Sequence, residues 1–583
     1  MSPRLSAALL ALYAVLAAWL VWLSRDQINP DGVAYIMLAR HWAAGRFELA
    51  VTAWWGPLLS WMLAPAVWLG WNEVLTVKIV NVALGAVTAV GAGKIAGMLA
   101  RRGEAWLQTS QPRHPNEPRH PNNARHPAQT ITFIAALALA LLMLPEPVTP
   151  DMLLTCIFTW YFLLALRWMH TGQTRQIVLA GVLGGLGYLA KSYALPFVVV
   201  HLVFTAWMRR RMVRRGLAAG NSVRPMLGAL AAVALVTLPW VITISSQTGT
   251  PTIGCAAQYA RRGFDAVSLM KSYPNLPIFD LQTPRAGRLT CWENGVETQR
   301  AWPDWPVLCP QGLNRVAYSC FLNAQRSMKY LDTTDRLGLM RITLVLLAAC
   351  AVMRFLHGPA MWAAGGMLMF CAGYMPLIVY DRYLWPAWPL QLALVLAVLL
   401  PSTRPPPAMP GFADRWRLFL PGVRALAAGL MLVSLGWADG RMIHNWSGAD
   451  GEGAKFTHLR AVGQRVAACS GAPMASNEWH QGLFGAFWAD RTYLGQLAGK
   501  TADEVAAELS RFGPACVLVF DDQALCDKLS AAPCFRRIEL PGEQWCSLES
   551  VAANAAATAP DQATASGDQP RMAAFLFEPP EER

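Results

Sequence analysis

Charge is scarce in this chain, and acid is scarcer than base. Of 583 residues only 15% are charged, with 36 Asp and Glu against 49 Lys and Arg, while 54% are hydrophobic. That balance excludes a disordered chain and, if the apolar residues are clustered, an ordinary soluble domain. They are clustered. Runs at 6–23, 74–99, 130–145, 152–169, 177–190, 193–208, 226–245, 338–355, 360–379, 383–400 and 418–437 each approach the ~20 residues that cross ~30 Å of hydrocarbon. The expected fold is therefore mainly α, a polytopic membrane protein with about 11 spans.

Other absences narrow the class. No small-residue cleavage site follows the first run, so it reads as a retained span. No CxxC pair is present, which removes the common zinc modules. The apolar runs hold almost no acid and no two halves match, which argues against transporters built from inverted repeats. The net charge of +13 does not point to nucleic acid. Arg101 with Arg102, the RRRMVRR cluster at 209–215, Arg404, Arg415 and Arg417 all lie beside spans, on one side if the N-terminus is cytoplasmic. The same parity makes Pro57–Gly70, with 14 residues and Pro65 inside, an interfacial or re-entrant helix, so 25–73 is a single outer loop. Nine of 12 Cys (Cys255, Cys291, Cys309, Cys320, Cys469, Cys516, Cys526, Cys534, Cys546) then fall outside and none in a cytoplasmic loop. That distribution suits an oxidising compartment and disulfides, whose pairing the spacing leaves open.

The outer side carries the chemistry. Asp31 follows Asn29 and Pro30, where its carboxylate could accept first-turn N–H groups. Val33, Tyr35, Ile36, Met37, Leu38 and Trp42, with Arg40, His41 and Arg46, then give a basic amphipathic helix suited to the membrane interface. Asp151 opens the fourth span on the same side, as cap or as functional acid, with Glu146 nearby. Lys191, between the fifth and sixth spans, breaks the positive-inside bias, and either snorkels to lipid phosphates or holds a ligand. Arg382 lies between Tyr380 and Tyr383 at the same rim, and a guanidinium can clamp two phosphate oxygens.

Larger segments surround these residues. The loop 101–128 repeats His-Pro at His114, His120 and His126, a flexible cytoplasmic segment rather than a metal site. The loop 246–337 contains four Cys, Arg261, Arg262 and Trp292, and is expected to cover the membrane face. Residues 1–445 would form the transmembrane domain and 446–549 a small outer α/β domain. In the latter, Asn477-Glu478-Trp479-His480 invites a catalytic reading against a docking or stability role. The Ala/Asp/Pro/Glu-rich 550–583 is expected to be disordered.

This layout resembles the C-type superfamily of integral-membrane glycosyltransferases, particularly bacterial relatives of protein O-mannosyltransferases and aminoarabinose transferases. The resemblance rests on D-G-x-x-Y (Asp31, Gly32, Tyr35), interfacial helices, Arg101-Arg102 ending a span, Pro150-Asp151, R-Y-x-x-P (Arg382, Tyr383, Pro386) and a C-terminal outer domain. It implies transfer of a sugar from a polyprenyl phosphate or diphosphate carrier to a glycan, lipid or protein acceptor, with inversion, on the periplasmic face of a bacterial inner membrane. Asp31 would be general base, and Asp151 a partner that orients the acceptor or helps hold a divalent metal; no other cofactor is implied. One departure counts against a protein acceptor: many protein mannosyltransferases have Asp-Glu where this chain has Asp31-Gly32. The chemistry asks for a base beside the incoming hydroxyl and cations where the departing phosphate gains charge. Lys191, Arg382 and Tyr383 are candidates for the latter, with Arg261 and Arg262 behind them. Tyr35, Trp54, Trp55 and Glu146 would line the substrate, the two tryptophans as a sugar-stacking wall or an aromatic belt. The rival expectation is a transporter or flippase for a lipid-linked or anionic substrate.

Overall fold

A computed structural model describes residues 3–109, 127–145, 148–216, 223–255, 279–294, 320–325, 358–376, 379–399, 443–447, 452–538 and 572–577, with a few single positions between them. The expected runs at 338–355 and 418–437, Glu146, Arg261 and Arg262 lie outside these residues. The other nine runs have helical counterparts: α1 (Pro3–Leu23), α5 (Glu73–Thr109), α6 (Pro127–Leu142), α7 (Asp151–Thr171), α8 (Thr174–Ala190), α9 (Ala194–Arg214), α10 (Val223–Thr248), α11 (Gly358–Ala372) and α13 (Trp388–Leu399). Among the described residues, Pro3–Leu23, Glu73–Arg101, Asp151–Thr171 and Val223–Thr248 are long and apolar enough to cross a membrane. That is the build of an integral membrane protein. The run at 383–400 is not one straight helix. It starts as a short turn, α12 (Asp381–Leu384), and a 3-10 turn at Trp385–Ala387, because Pro386 and Pro389 each remove a backbone donor.

The loop 25–73 folds as two helices, α2 (Pro30–Ala43) and α4 (Leu58–Trp68), with a single turn, α3 (Phe47–Ala50), between them. With 11 residues, α4 reaches ~16 Å and cannot cross. It lies against α2, where Ser60 Oγ donates to the Tyr35 carbonyl at 2.8 Å, and it exposes Met62, Trp68 and the following Leu69 and Trp71. The helix ends define two rims. Buried Arg209, near the end of α9, donates to the carbonyls of Trp168 (3.0 Å) and Met169 (2.7 Å) in the last turn of α7. The C-termini of α7 and α9 therefore share the lower rim, and the start of α7 with the α8–α9 junction shares the upper one. Close packing holds this arrangement. A Cβ at Gly181 of α8 would collide with the Ala229 carbonyl of α10, and small residues let apolar helices approach this closely.

Above the upper rim stands an α/β unit. Strands β1 (Met474–Ser476), β2 (Tyr493–Gln496), β3 (Ala515–Phe520), β4 (Phe535–Ile538) and β5 (Met572–Phe577) make a sheet in the order β2-β1-β3-β5-β4. The first three are mutually parallel, and β5 runs antiparallel to both β3 and β4. Helices α14 (Glu452–Cys469), α15 (Trp479–Ala489), α16 (Ala502–Ser510) and α17 (Gln523–Ala531) connect and flank it. Strand β5 corrects the expectation of a wholly disordered 550–583. The run MAAFLF is apolar enough to be buried along nearly its whole length, a local signal that the polar average of the tail conceals. The segment 279–289, expected as part of a separate cover, is bonded along β2. Gln282 N donates to Leu494 O (2.7 Å), Gln496 N to Phe279 O (2.6 Å) and Tyr493 N to Leu289 O (2.7 Å). Of the outer cysteines expected to form disulfides, Cys320 and Cys534 are unbridged thiols.

A candidate active site at the upper rim

The upper rim brings together four side chains that are far apart in the sequence. Asp31 opens α2, Asp151 opens α7, Lys191 follows α8 and Arg382 lies in α12. Arg382 Nη2 donates to Asp31 Oδ2 at 2.7 Å, and its Nε lies 3.9 Å from Asp151 Oδ2. Lys191 Nζ donates to the other Asp151 oxygen, and Thr149 Oγ1 donates to Asp151 Oδ2 at 2.6 Å. Neither acid is a helix cap: Asn29 and Pro150 hold the N-cap positions and neither helix has a side-chain cap bond. Both carboxylates still benefit from the positive ends of α2 and α7. The Asp151 side chain is 1% exposed, while Asp31, Lys191 and Arg382 keep 19%, 18% and 16%. The cluster is thus sealed on one side and open on the other.

Two local constraints build it. A Cβ at Gly32 would stand 2.7 Å from Val148 Cβ and 2.8 Å from Asn29 Oδ1, so the residue after Asp31 must be glycine for α2 to abut the approach to α7. A Cβ at Gly56 would strike the carbonyls of Leu189 and Ala190, so the Trp54–Gly56 turn sits directly on the end of α8 that presents Lys191.

Aromatic rings complete the walls. Lys191 Nζ lies 4.1 Å from the centroid of Tyr383, and the Arg382 guanidinium 5.6 Å from both Tyr380 and Tyr383. Tyr374 stacks on Tyr383 at 5.2 Å. Tyr35, buried on α2, lies within the field of Asp31 and Asp151 and packs at 5.2 Å on Trp55. Trp54 offers no open wall and no lipid-facing belt: it is 5% exposed and packed edge-on to Trp55 and Trp292 at 6.1 and 6.0 Å.

The electrostatics are matched internally. Burial works against the Arg382 charge, but Asp31, Tyr383 and Asp151 outweigh it and push its pKa above the ordinary arginine value. Lys191 goes the other way. Burial, aided by nearby Arg382, holds its ammonium below the usual lysine range despite the opposing pull of Asp151. Burial also raises the Tyr383 hydroxyl, leaving it a hydrogen-bond donor at neutral pH. The residues present do not fit a divalent metal, since each carboxylate already has a cationic side chain within ion-pair range. Among the described residues no group of three His, Cys, Asp or Glu converges as a ligand set.

No family model matches the chain, and no curated protein matches it. Two solved structures are similar over nearly its whole length. One is ArnT from Cupriavidus metallidurans bound to undecaprenyl phosphate, at 13% identity and a TM-score of 0.49, covering 99% of this chain and 98% of that one. The other is ArnT from the same organism in the apo state, at 15% identity and a TM-score of 0.47, covering 98% and 97%.

Sequence reasoning missed one part of this region. His41 and Glu293 meet in full burial at the end of α2 away from Asp31. His41 reads only as the polar side of an amphipathic helix, and Glu293 as one acid in a loop, so no signal in one sequence pairs them.

Proposed function

We propose that the chain is an integral-membrane glycosyltransferase that moves a sugar from a polyprenyl-phosphate-linked donor to an acceptor on the periplasmic face of a bacterial inner membrane. The observation that carries this reading is the convergence of Asp31, Asp151, Lys191 and Arg382, from four separate stretches, on one partly open cluster at a membrane rim. Two carboxylates and two cations cancel in the resting cluster. An entering donor phosphate competes with carboxylate for the Arg382 fork and for Lys191. When Arg382 turns to the phosphate, Asp31 Oδ2 loses its hydrogen-bond donor and can accept a proton. An acceptor hydroxyl then attacks the anomeric carbon from the face opposite the phosphate and gives its proton to Asp31. The new carbon–oxygen bond forms as the bond to the phosphate oxygen breaks. That oxygen keeps the electron pair, beside Arg382 and Lys191, and the configuration inverts. Asp151, held by Thr149 and Lys191, fixes both cations. Burial of Gly32 against Val148 leaves no room for a second acid beside Asp31, which supports a glycan or lipid acceptor over a protein one.

The test is release of labelled sugar from a polyprenyl-phosphate donor by purified protein, with extracted cell-envelope material as acceptor. Asp31→Asn, which keeps the shape and a hydrogen bond, is expected to lower transfer by roughly 10²–10⁴-fold. Transfer at the wild-type rate would refute the assignment.

A further inference from the structure

The 3-10 turn at Cys291–Asn294 lies between three parts of the molecule, and a buried charge sits at its centre. Glu293 and His41 are both 0% exposed, with His41 Nε2 2.8 Å from Glu293 Oε2. The other carboxylate oxygen accepts the N–H groups of Leu289 at 2.6 Å and Thr290 at 3.1 Å. With the carboxylate ionised, Glu293 accepts from all three groups and the Nε2–H of His41 is the third donor. Among the described residues the Nδ1 of His41 has no hydrogen-bond partner, so the Nε2–Glu293 bond is the one that orients the ring.

The rest of the turn makes two further attachments. Thr52 Oγ1 donates to Asn294 Oδ1 at 3.1 Å and Trp55 Nε1 to the Trp292 carbonyl at 3.2 Å, which ties the turn to the loop resting on the end of α8 at Lys191. Tyr493 N donates to the Leu289 carbonyl at 2.7 Å, and Trp292 packs on Trp479 at 5.6 Å, which ties it to the α/β unit. On α2, His41 lies ten residues beyond Asp31, about 15 Å along a rigid rod.

We infer that Glu293 and His41 are positioning residues, a buried latch that fixes the angle of α2 and so places Asp31 opposite Lys191 and Arg382. The inference rests on the proposed transfer reaction and extends it to residues that touch neither substrate. A buried carboxylate with three donors cannot move without stranding them. The latch therefore holds α2 in one orientation, and displacing a catalytic group by about 1 Å costs on the order of 10²-fold in rate. The neighbouring tie differs in kind. Arg40 bridges Glu73 (2.8 Å) and Asp490 (2.9 Å), but the Asp490 side chain is 76% exposed, so water can replace it.

Two measurements on the full-length protein separate positioning from mere stability: binding of polyprenyl phosphate without sugar, and release of labelled sugar from the donor. Glu293→Gln keeps shape but loses charge. It is expected to lower sugar release about tenfold or more, with carrier affinity within roughly twofold and the unfolding temperature nearly unchanged. His41→Leu, which removes the donor, is expected to lose as much; His41→Gln, which keeps an N–H, should stay within about threefold of wild type. Asp490→Asn is the control expected to match wild type. Full sugar release by Glu293→Gln and His41→Leu, or losses that merely follow carrier binding and unfolding, would overturn the latch. If Asp31→Asn is inactive while Glu293→Gln is fully active, the latch alone fails; if Asp31→Asn is active, the transferase reading fails.

Discussion

Two polar clusters lie above the membrane helices, and they end on different kinds of partner. At the tip of β1, Asn477 and Glu478 are bound largely to backbone, and the exposed His480 ring lies 3.3 Å from Glu478 Oε1. The Asn477 amide accepts from Phe520 N (2.8 Å) and donates to Phe520 O (2.9 Å), and Glu478 caps α15 by accepting Gln481 N at 2.6 Å. At the rim, Asp31 and Arg382 are 351 residues apart and meet side chain to side chain. A backbone group cannot leave its partner without unravelling an element, whereas a guanidinium can exchange one oxygen ligand for another. Position above the membrane and density of polar groups are similar in both places. What separates a cluster able to take a charged ligand from one that holds up a strand is whether its charges are matched by groups free to change partner.

The largest effect expected from this contrast is at Arg382. Lysine there keeps the charge but cannot reach Asp31 and Asp151 together, as one planar fork does. Losing one charge-assisted hydrogen bond is worth about 1.5–3 kcal/mol, roughly ten- to a hundredfold at 1.4 kcal/mol per decade. Arg382→Lys should therefore slow sugar release by that factor. An equal rate in wild type and variant would mean the fork does not hold the phosphate.

A smaller effect should follow pH. Burial keeps the Lys191 pKa below that of an exposed lysine, so folded protein loses this proton while the unfolded chain still binds it. In that window the Lys191 contribution to unfolding free energy rises with pH, because the unfolded state holds more protons. Carrier binding should move oppositely, weakening as pH rises through the folded pKa and the ammonium disappears; Arg382, pushed upward, stays charged throughout. Affinity for polyprenyl phosphate and thermal unfolding, each measured across alkaline pH, should show these opposite slopes in wild type. Lys191→Met should show neither. Parallel slopes would place the titration elsewhere.

How far the sequence led differs between the two clusters for a physical reason. Span positions and shared sidedness follow from apolar runs and the distribution of Arg, both local properties, so Asp31, Asp151, Lys191 and Arg382 could be placed on one rim without knowing that they touch. Their pairing depends on long-range packing, such as Gly32 against Val148 and Gly56 against α8, and one sequence does not encode which side chain will be opposite. Trp54 reads as a belt residue before a wall residue, and the fold instead buries it against Trp292. Asn477–His480 invites a catalytic reading because polar neighbours are easy to see, while a docking or stability role is the favoured expectation. That Asn477 is held by backbone becomes visible only when Phe520 on β3 comes alongside.

The smallest effect tests that structural cluster. Burial tends to raise the Glu478 pKa, but hydrogen bonds from His480 and Gln481 N outweigh it and leave it below the ordinary glutamate value. A depressed carboxyl stabilises the fold above its unfolded pKa and loses that contribution as pH falls through the folded one. Glu478→Gln keeps an oxygen for the Gln481 N–H and loses only the favourable charge at the start of α15, worth about 0.3–1 kcal/mol. The α/β unit should then unfold at a slightly lower temperature near neutral pH, with the difference vanishing in acid. Sugar release should be unchanged, because the buried contacts of this cluster end on backbone and its one side-chain pair, Glu478 with His480 at 3.3 Å, stands in solvent. A loss of sugar release with only this small loss of stability would give β1's tip a share of the reaction, and the division between exchangeable and backbone-bound charge would no longer mark the site.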